Sequence, residues 1–147
     1  EYFRSAAATL DEELELLDEQ VMQMLAMIPE KRRILVTAHD AFGYFGRRYR
    51  LEVMGIQGIS TESEASIDRV NTLVATLTER KVPAVFVEST VPERNIRALI
   101  EGCSSLGHSL EIGGVLFSDA PGPEGSGAAR WRDMVLHDAR VISEALR

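Results

Sequence analysis

The feature that most constrains the fold is an alternation of short apolar runs with amphipathic stretches, which begins after Pro29. The apolar runs, read as strands, lie at Ile34–Thr37, Glu52–Ile56, Ala84–Val87 and within Ser109–Leu116. The stretches between and after them, read as helices, lie at Ala41–Arg50, Thr61–Arg80, Thr90–Leu106 and Ala129–Leu146. Strands that alternate with helices form parallel sheets covered by the crossover helices. The sequence therefore predicts an α/β fold, with a four-stranded parallel sheet and helices on both faces.

Two helix starts carry the spacing of a capping box, in which an N-cap hydroxyl and an acidic side chain three residues later satisfy free backbone amides. Thr61 and Glu64 have this spacing, and so do Thr90 and Glu93. The helix after Thr61 has one apolar face, formed by Ile67, Val70, Leu73, Val74 and Leu77.

A separate helix precedes the alternating region, from about Tyr2 to Met27. Its apolar stripe recurs every three or four residues, at Leu10, Leu14, Leu17, Val21 and Leu25, and Pro29 ends the pattern. Such a helix is roughly 40 Å long at about 1.5 Å per residue, which is more than one small domain needs. We expect part of the stripe to be exposed, although an ordinary helix packed on one lobe has the same periodicity.

Charge and composition exclude several classes of function. Lys and Arg total 16 against 23 Asp and Glu, a net charge of −7, which makes nucleic acid a poor partner. The single cysteine, Cys103, excludes an internal disulfide and a cysteine-rich zinc site, and its apolar surroundings indicate a buried packing role. The sequence has no nucleotide-binding glycine motif and no G-x-S-x-G nucleophile motif. Because the chain opens on Glu1 and not on methionine, we expect a processed or truncated piece.

Polar side chains follow three of the predicted strands. His39 and Asp40 follow the first, Glu88 and Ser89 the third, and Asp119 the fourth. The carboxyl ends of parallel strands meet at one edge of a sheet, where ligands collect. An imidazole with carboxylates suits a divalent first-row metal. Each residue alone also fits a cap, a turn or an ion pair, so this pattern leaves the metal site one of several interpretations.

The other two histidines are weaker candidates. His108 precedes the fourth strand and should lie at the opposite edge of the sheet, and His137 sits within the last helix.

Four motifs at these positions resemble the TroA-like, zinc- or manganese-binding solute-binding proteins of ABC importers. They are the segments 36–45, 52–66, 85–89 and 112–119, which contain VTAHDAFGYF, GISTESEAS, VFVES and IGGVLFSD. They occur in the family's order, and the agreement runs from about Glu1 to Leu146 in one register.

The resemblance implies two lobes joined by a long helix, with the metal bound between them. Residues 1–28 match the linking helix and residues 29–147 the C-terminal metal-binding lobe, so the N-terminal lobe and its two histidines are absent. Matched residue by residue, His39 and Asp119 are the second pair of ligands. Glu88, Ser89, Asp40 and Phe42 are then expected to surround and orient them. The implied cargo is Zn²⁺ or Mn²⁺, and another divalent first-row metal also suits these ligands.

The resemblance also implies a function, namely extracytoplasmic capture of the metal and its delivery to the membrane permease of an ABC importer. The protein would be a periplasmic or cell-surface lipoprotein and not an enzyme. Two alternatives stay open: a metal-dependent hydrolase with His39 as the base, and a surface adhesin or interaction module. We expect this chain alone to bind metal weakly, and to dimerise through its first helix or fray at its start.

Overall fold

The structure is a computed structural model that describes residues 2–57, 66–89 and 93–147. The helices are α1 (Tyr2–Ala26), α2 (Gly43–Tyr49), α3 (Ile67–Glu79), α4 (Arg94–Ser105) and α5 (Trp131–Leu146). The strands are β1 (Ile34–Thr37), β2 (Glu52–Gly55), β3 (Ala84–Glu88) and β4 (Glu111–Leu116). The predicted α/β class and the order of elements are confirmed. No helix in the described ranges is long and apolar enough to cross a bilayer.

The strands are all parallel, but the expected continuous four-stranded sheet is divided. Within the described residues, β1 pairs with β2 and β3 pairs with β4, which gives two two-stranded ladders. Strands β1 and β3 lie side by side between them. At their carboxyl ends the Glu88 carboxylate accepts a hydrogen bond from the His39 amide at 2.9 Å, so a side chain links the two strands there.

Strands β1 and β3 are buried along their whole length, which is the pattern of parallel strands covered on both faces. Helices α1 and α5 pack together, with α5 against β4, and α3 and α4 pack together, with α4 against β3. The helices that were expected to cover the sheet therefore form two separate pairs, α1 with α5 and α3 with α4. The outer strands β2 and β4 are only partly buried.

The β3–β4 ladder contains a bulge on β4. The register shifts between Val85 and Phe86, so that Val85 pairs with Ile112 and Phe86 with Gly114. A Cβ on the skipped residue, Gly113, would lie 2.6 Å from the Ala145 side chain and 2.8 Å from the Phe86 ring. A glycine is required there because α5 and β3 both approach the backbone closely.

Helix α1 is buried only in its second half. Leu17, Val21 and Leu25 lie in the core, whereas Leu10 and Leu14 are 45% and 41% exposed. The prediction that part of the stripe is exposed is confirmed. The Arg33 guanidinium donates to the carbonyl oxygens of Leu25, Ile28 and Tyr49, so it fixes the end of α1 against the end of α2.

The helix starts differ from the capping boxes. Helix α3 begins at Ile67, where the extended Ser66 accepts a hydrogen bond from the Arg69 amide at 3.2 Å. Ile67 itself is 79% exposed, so the buried face of α3 is shorter than expected. Glu93 precedes α4 without a side-chain cap. Thr61, Glu64 and Thr90 lie outside the described residues.

Candidate metal centre

His39 is held rigidly at the carboxyl end of β1. Its carbonyl oxygen accepts hydrogen bonds from the Thr37 hydroxyl at 2.7 Å and from the Ala41 amide at 3.1 Å. Its amide donates to Glu88 Oε1. The residue is only 4% exposed. Three backbone contacts therefore fix where the imidazole ring leaves the chain.

The Nδ1 side of the imidazole lies against the buried carboxylate of Glu88. His39 Nδ1 lies 2.8 Å from Glu88 Oε2, and Glu88 is 3% exposed. The contact is at hydrogen-bonding distance, but the two atoms are not aligned as in a straight hydrogen bond. A carboxylate beside Nδ1 favours the tautomer with its proton on Nδ1, which leaves a lone pair on Nε2.

His39 Nε2 faces Asp119. The distance from Nε2 to Asp119 Oδ2 is 3.5 Å, and the Asp119 side chain is 54% exposed. Two ligands about 2.1 Å from one tetrahedral ion are separated by about 3.4 Å. The observed spacing fits two ligands of one cation, and it equally fits a direct contact between an imidazole and a carboxylate. The prediction that these side chains turn toward a common point at one edge is confirmed.

The segment that carries Asp119 is tied to α5. The Phe117 amide donates to Asp138 Oδ1 at 3.1 Å, and Asp138 is 3% exposed. Burial, and then the nearby charge of Glu88, raise the pKa of Asp138 to about 7, although the Phe117 hydrogen bond opposes this. Asp138 is therefore a buried carboxyl group that ionises near neutral pH.

The remaining predicted residues have different surroundings. Ser89 is exposed, and its amide donates to the Leu116 carbonyl at 3.2 Å, which links the ends of β3 and β4. Asp40 is exposed beside His39. Phe42 is a core residue that meets the Phe45 ring edge to face at 6.0 Å. Their contribution to a metal site stays a prediction.

His108 and His137 lie where the sequence indicated. His108 Nε2 is 2.7 Å from the Val82 carbonyl oxygen, at the opposite end of β3. The His137 ring packs on Phe117 with centroids 5.1 Å apart, and its Nε2 is 3.1 Å from the Val115 oxygen. Within the described residues, no group of three or more His, Cys, Asp and Glu side chains is placed to hold a metal ion.

Sequence reasoning missed two residues that shape the site. A Cβ on Gly55 would lie 2.8 Å from the Asp40 nitrogen and 3.0 Å from the His39 carbonyl carbon, so a glycine lets β2 approach this loop. Asp138 lies within α5, where the sequence pattern indicates no role for it beyond the helix. The signal for Asp138 was an acidic residue within the apolar periodicity, three residues after Val135 and four before Ile142.

Comparisons with curated proteins give close relatives along the whole chain. The manganese-binding lipoprotein MntA of Bacillus subtilis is 46% identical over 145 residues, which cover 99% of this chain and 47% of that protein. The zinc-binding protein TroA of Treponema pallidum is 46% identical over 135 residues, which cover 92% of this chain and 44% of that protein. This chain thus spans about half the length of these relatives.

Solved structures and a family model agree with the curated relatives. The structure of the periplasmic zinc-binding protein TroA from Treponema pallidum matches with a TM-score of 0.91 and 44% identity, over 98% of this chain and 52% of that one. An Fe(III)-bound YtgA from Chlamydia trachomatis matches with a TM-score of 0.86 and 30% identity, over 99% of this chain and 53% of that one. The family model described as "Zinc-uptake complex component A periplasmic" matches residues 1–145, and the chain belongs to that family.

Proposed function

We propose that this chain is the C-terminal half of a solute-binding protein that captures Zn²⁺ or Mn²⁺ outside the cytoplasm and delivers it to an ABC importer. The observation that carries the proposal is the geometry of His39. Its Nδ1 lies 2.8 Å from the buried Glu88 carboxylate, and its Nε2 lies 3.5 Å from Asp119. In this proposal the metal is the cargo, His39 and Asp119 are its ligands, and Glu88 orients the imidazole.

The ligand chemistry supports a divalent cation. With the proton on Nδ1, the Nε2 lone pair faces a carboxylate oxygen, an arrangement that a positive ion between the two atoms stabilises. One imidazole and one carboxylate suit both zinc and manganese. The relatives are named for both metals, MntA for manganese and TroA for zinc. The proposal therefore includes both metals.

Two ligands from this chain make an incomplete site, because zinc is generally four-coordinate. We propose that the remaining ligands come from a preceding lobe, that residues 1–28 link the two lobes, and that residues 29–147 form the C-terminal lobe. The exposed apolar residues in the first half of α1, such as Leu10 and Leu14, support this arrangement, because they are suited to pack on a further lobe. The coverage of about half of each relative supports it too.

The names of the relatives support the proposed location and partner. They describe a manganese-binding lipoprotein in Bacillus subtilis and a manganese ABC transporter substrate-binding lipoprotein, PsaA, in Streptococcus pneumoniae. These names describe binding proteins and not enzymes, so the hydrolase alternative is not pursued.

The test is a metal titration of the full-length protein that contains this chain, by calorimetry with Zn²⁺ and with Mn²⁺. We expect His39→Ala and Asp119→Ala each to weaken binding at least tenfold, because each removes one ligand. His108→Ala is the matched control, since His108 lies at the opposite end of β3 and should bind metal normally.

Two results would contradict the proposal. One is an unchanged metal affinity in both ligand variants. The other is equal loss of affinity in the His108 control, which would indicate an effect on folding and not on coordination. Tight one-to-one binding by the isolated chain would mean that it holds more than two ligands.

A further inference from the structure

The proposed ligand Asp119 lies three residues past the end of the β3–β4 ladder. The last paired residues are Glu88 and Leu116, and the Ser89 amide still reaches the Leu116 carbonyl at 3.2 Å. The next amide, that of Phe117, turns to α5 and donates to Asp138 Oδ1 at 3.1 Å. The backbone therefore leaves the β3–β4 ladder just before Asp119, and at Phe117 it is held by the side chain of Asp138.

We infer that Asp138 is a positioning residue for the metal centre, whose carboxyl group fixes the Phe117 amide and thereby sets where Asp119 meets His39. This inference rests on the proposed function and deepens it. Asp138 would hold the Phe117 amide and would not bind the metal itself. It acts through the backbone of residues 117–119.

Burying an acidic side chain costs more free energy than a purely structural contact would require. Asp138 is 3% exposed, and burial raises its pKa to about 7. An apolar side chain on this face of α5 would need less free energy to bury, but it would supply no acceptor for the Phe117 amide. The charged group that acts on Asp138 is Glu88 on β3, which makes the same kind of contact with the other ligand. Two neighbouring buried acids thus hold the backbone at the two proposed ligands. Glu88 accepts the amide of His39 itself, and Asp138 accepts the amide of Phe117, two residues before Asp119.

The backbone hydrogen bond requires an acceptor oxygen and not a charge. Asparagine keeps an oxygen in the place of Oδ1, whereas leucine has a similar size and no acceptor. The Asp138→Asn and Asp138→Leu variants therefore separate the hydrogen bond from the presence of a side chain. Glu144→Gln is the control for a lost carboxylate on the same helix, because Glu144 is exposed.

The experiment uses the full-length protein titrated with Zn²⁺ and with Co²⁺, whose visible absorption spectrum reports the coordination geometry. We expect Asp138→Asn and Glu144→Gln to bind within about threefold of the unsubstituted protein. We expect Asp138→Leu to bind about 10 to 100 times more weakly, the usual effect of losing a residue that orients a ligand, and with an altered Co²⁺ spectrum. A merely structural role would lower thermal stability without changing that spectrum.

Several results would overturn the inference. Normal affinity and a normal Co²⁺ spectrum in Asp138→Leu would do so, and so would equal impairment in Asp138→Asn. If Asp138→Leu does not fold, Asp138→Ala replaces it with the same expectation. If His39→Ala binds metal as well as the unsubstituted protein, the proposed function itself fails, whatever the Asp138 variants do.

Discussion

Replacing Asp138 by asparagine should change how the stability of this chain depends on pH. In the folded chain, burial raises the pKa of Asp138 from its ordinary value of 3.8 to about 7. In the unfolded chain the carboxyl group is solvated and loses its proton near the ordinary value. The folded state therefore binds more protons than the unfolded state between these two pH values. Stability falls as pH rises through this window, because the unfolded state binds fewer protons there.

The magnitude follows from the same two values. The difference between 3.8 and about 7, at about 1.36 kcal/mol per pH unit, gives about 4 kcal/mol as the largest contribution. This contribution of Asp138 to the free energy of unfolding is present in full below about pH 4. It is lost above about pH 7. Asparagine does not ionise, and it preserves an oxygen for the Phe117 amide. Asp138→Asn should therefore match the unsubstituted chain near pH 4 and exceed it by up to about 4 kcal/mol at pH 8.

Urea unfolding at four pH values between 4.5 and 8, followed by circular dichroism, measures this difference. Glu144→Gln on the same helix is the control, and its curve should stay parallel to that of the unsubstituted chain because Glu144 is exposed. A stability difference for Asp138→Asn that is the same at every pH would refute the reasoning. It would mean that Asp138 ionises alike in the folded and unfolded chains.

Three further predictions concern other parts of the molecule. Gly55→Ala should lower stability by about 1–3 kcal/mol in thermal unfolding and should weaken metal binding, since its Cβ would meet backbone atoms at 2.7 and 2.8 Å. Cys103, whose thiol pKa is raised by burial, should react with a thiol reagent only after unfolding, and fast reaction in the folded chain would contradict its core position. The isolated chain should self-associate in light scattering through the exposed half of α1, and Leu10→Gln with Leu14→Gln should abolish this.

Periodicity was sufficient to predict the α/β class and the order of elements, because burial on one face or on both leaves a pattern in the sequence. The expected strand at Ala84–Val87 is β3, and the expected helix at Tyr2–Met27 is α1. Helix starts were predicted less well. A Thr-x-x-Glu spacing is a local preference, whereas the start of α3 at Ile67 is set by the cap that Ser66 supplies.

The candidate site was predictable where it follows from topology. His39 and Asp119 each follow a parallel strand, so their meeting at one edge requires only the order of elements. The division of the sheet, the bulge at Gly113 and the Asp138 contact were not predictable in this way. Each depends on distances between elements far apart in the sequence, and a periodic pattern carries no information on such distances.

The division of the sheet and the proposed metal centre involve the same side chain, that of Glu88. Within the described residues, strands β1 and β3 share no ladder, and the Glu88 carboxylate links them by accepting the His39 amide and facing Nδ1. If His39 binds a cation through Nε2 as proposed, the cation would withdraw electron density from the ring and make the proton on Nδ1 a better donor to Glu88. Metal binding should therefore strengthen the link between the two strand pairs. A ligand that binds only the folded state also stabilises it by mass action, so metal binding at the proposed centre and closer contact between the two strand pairs would favour each other.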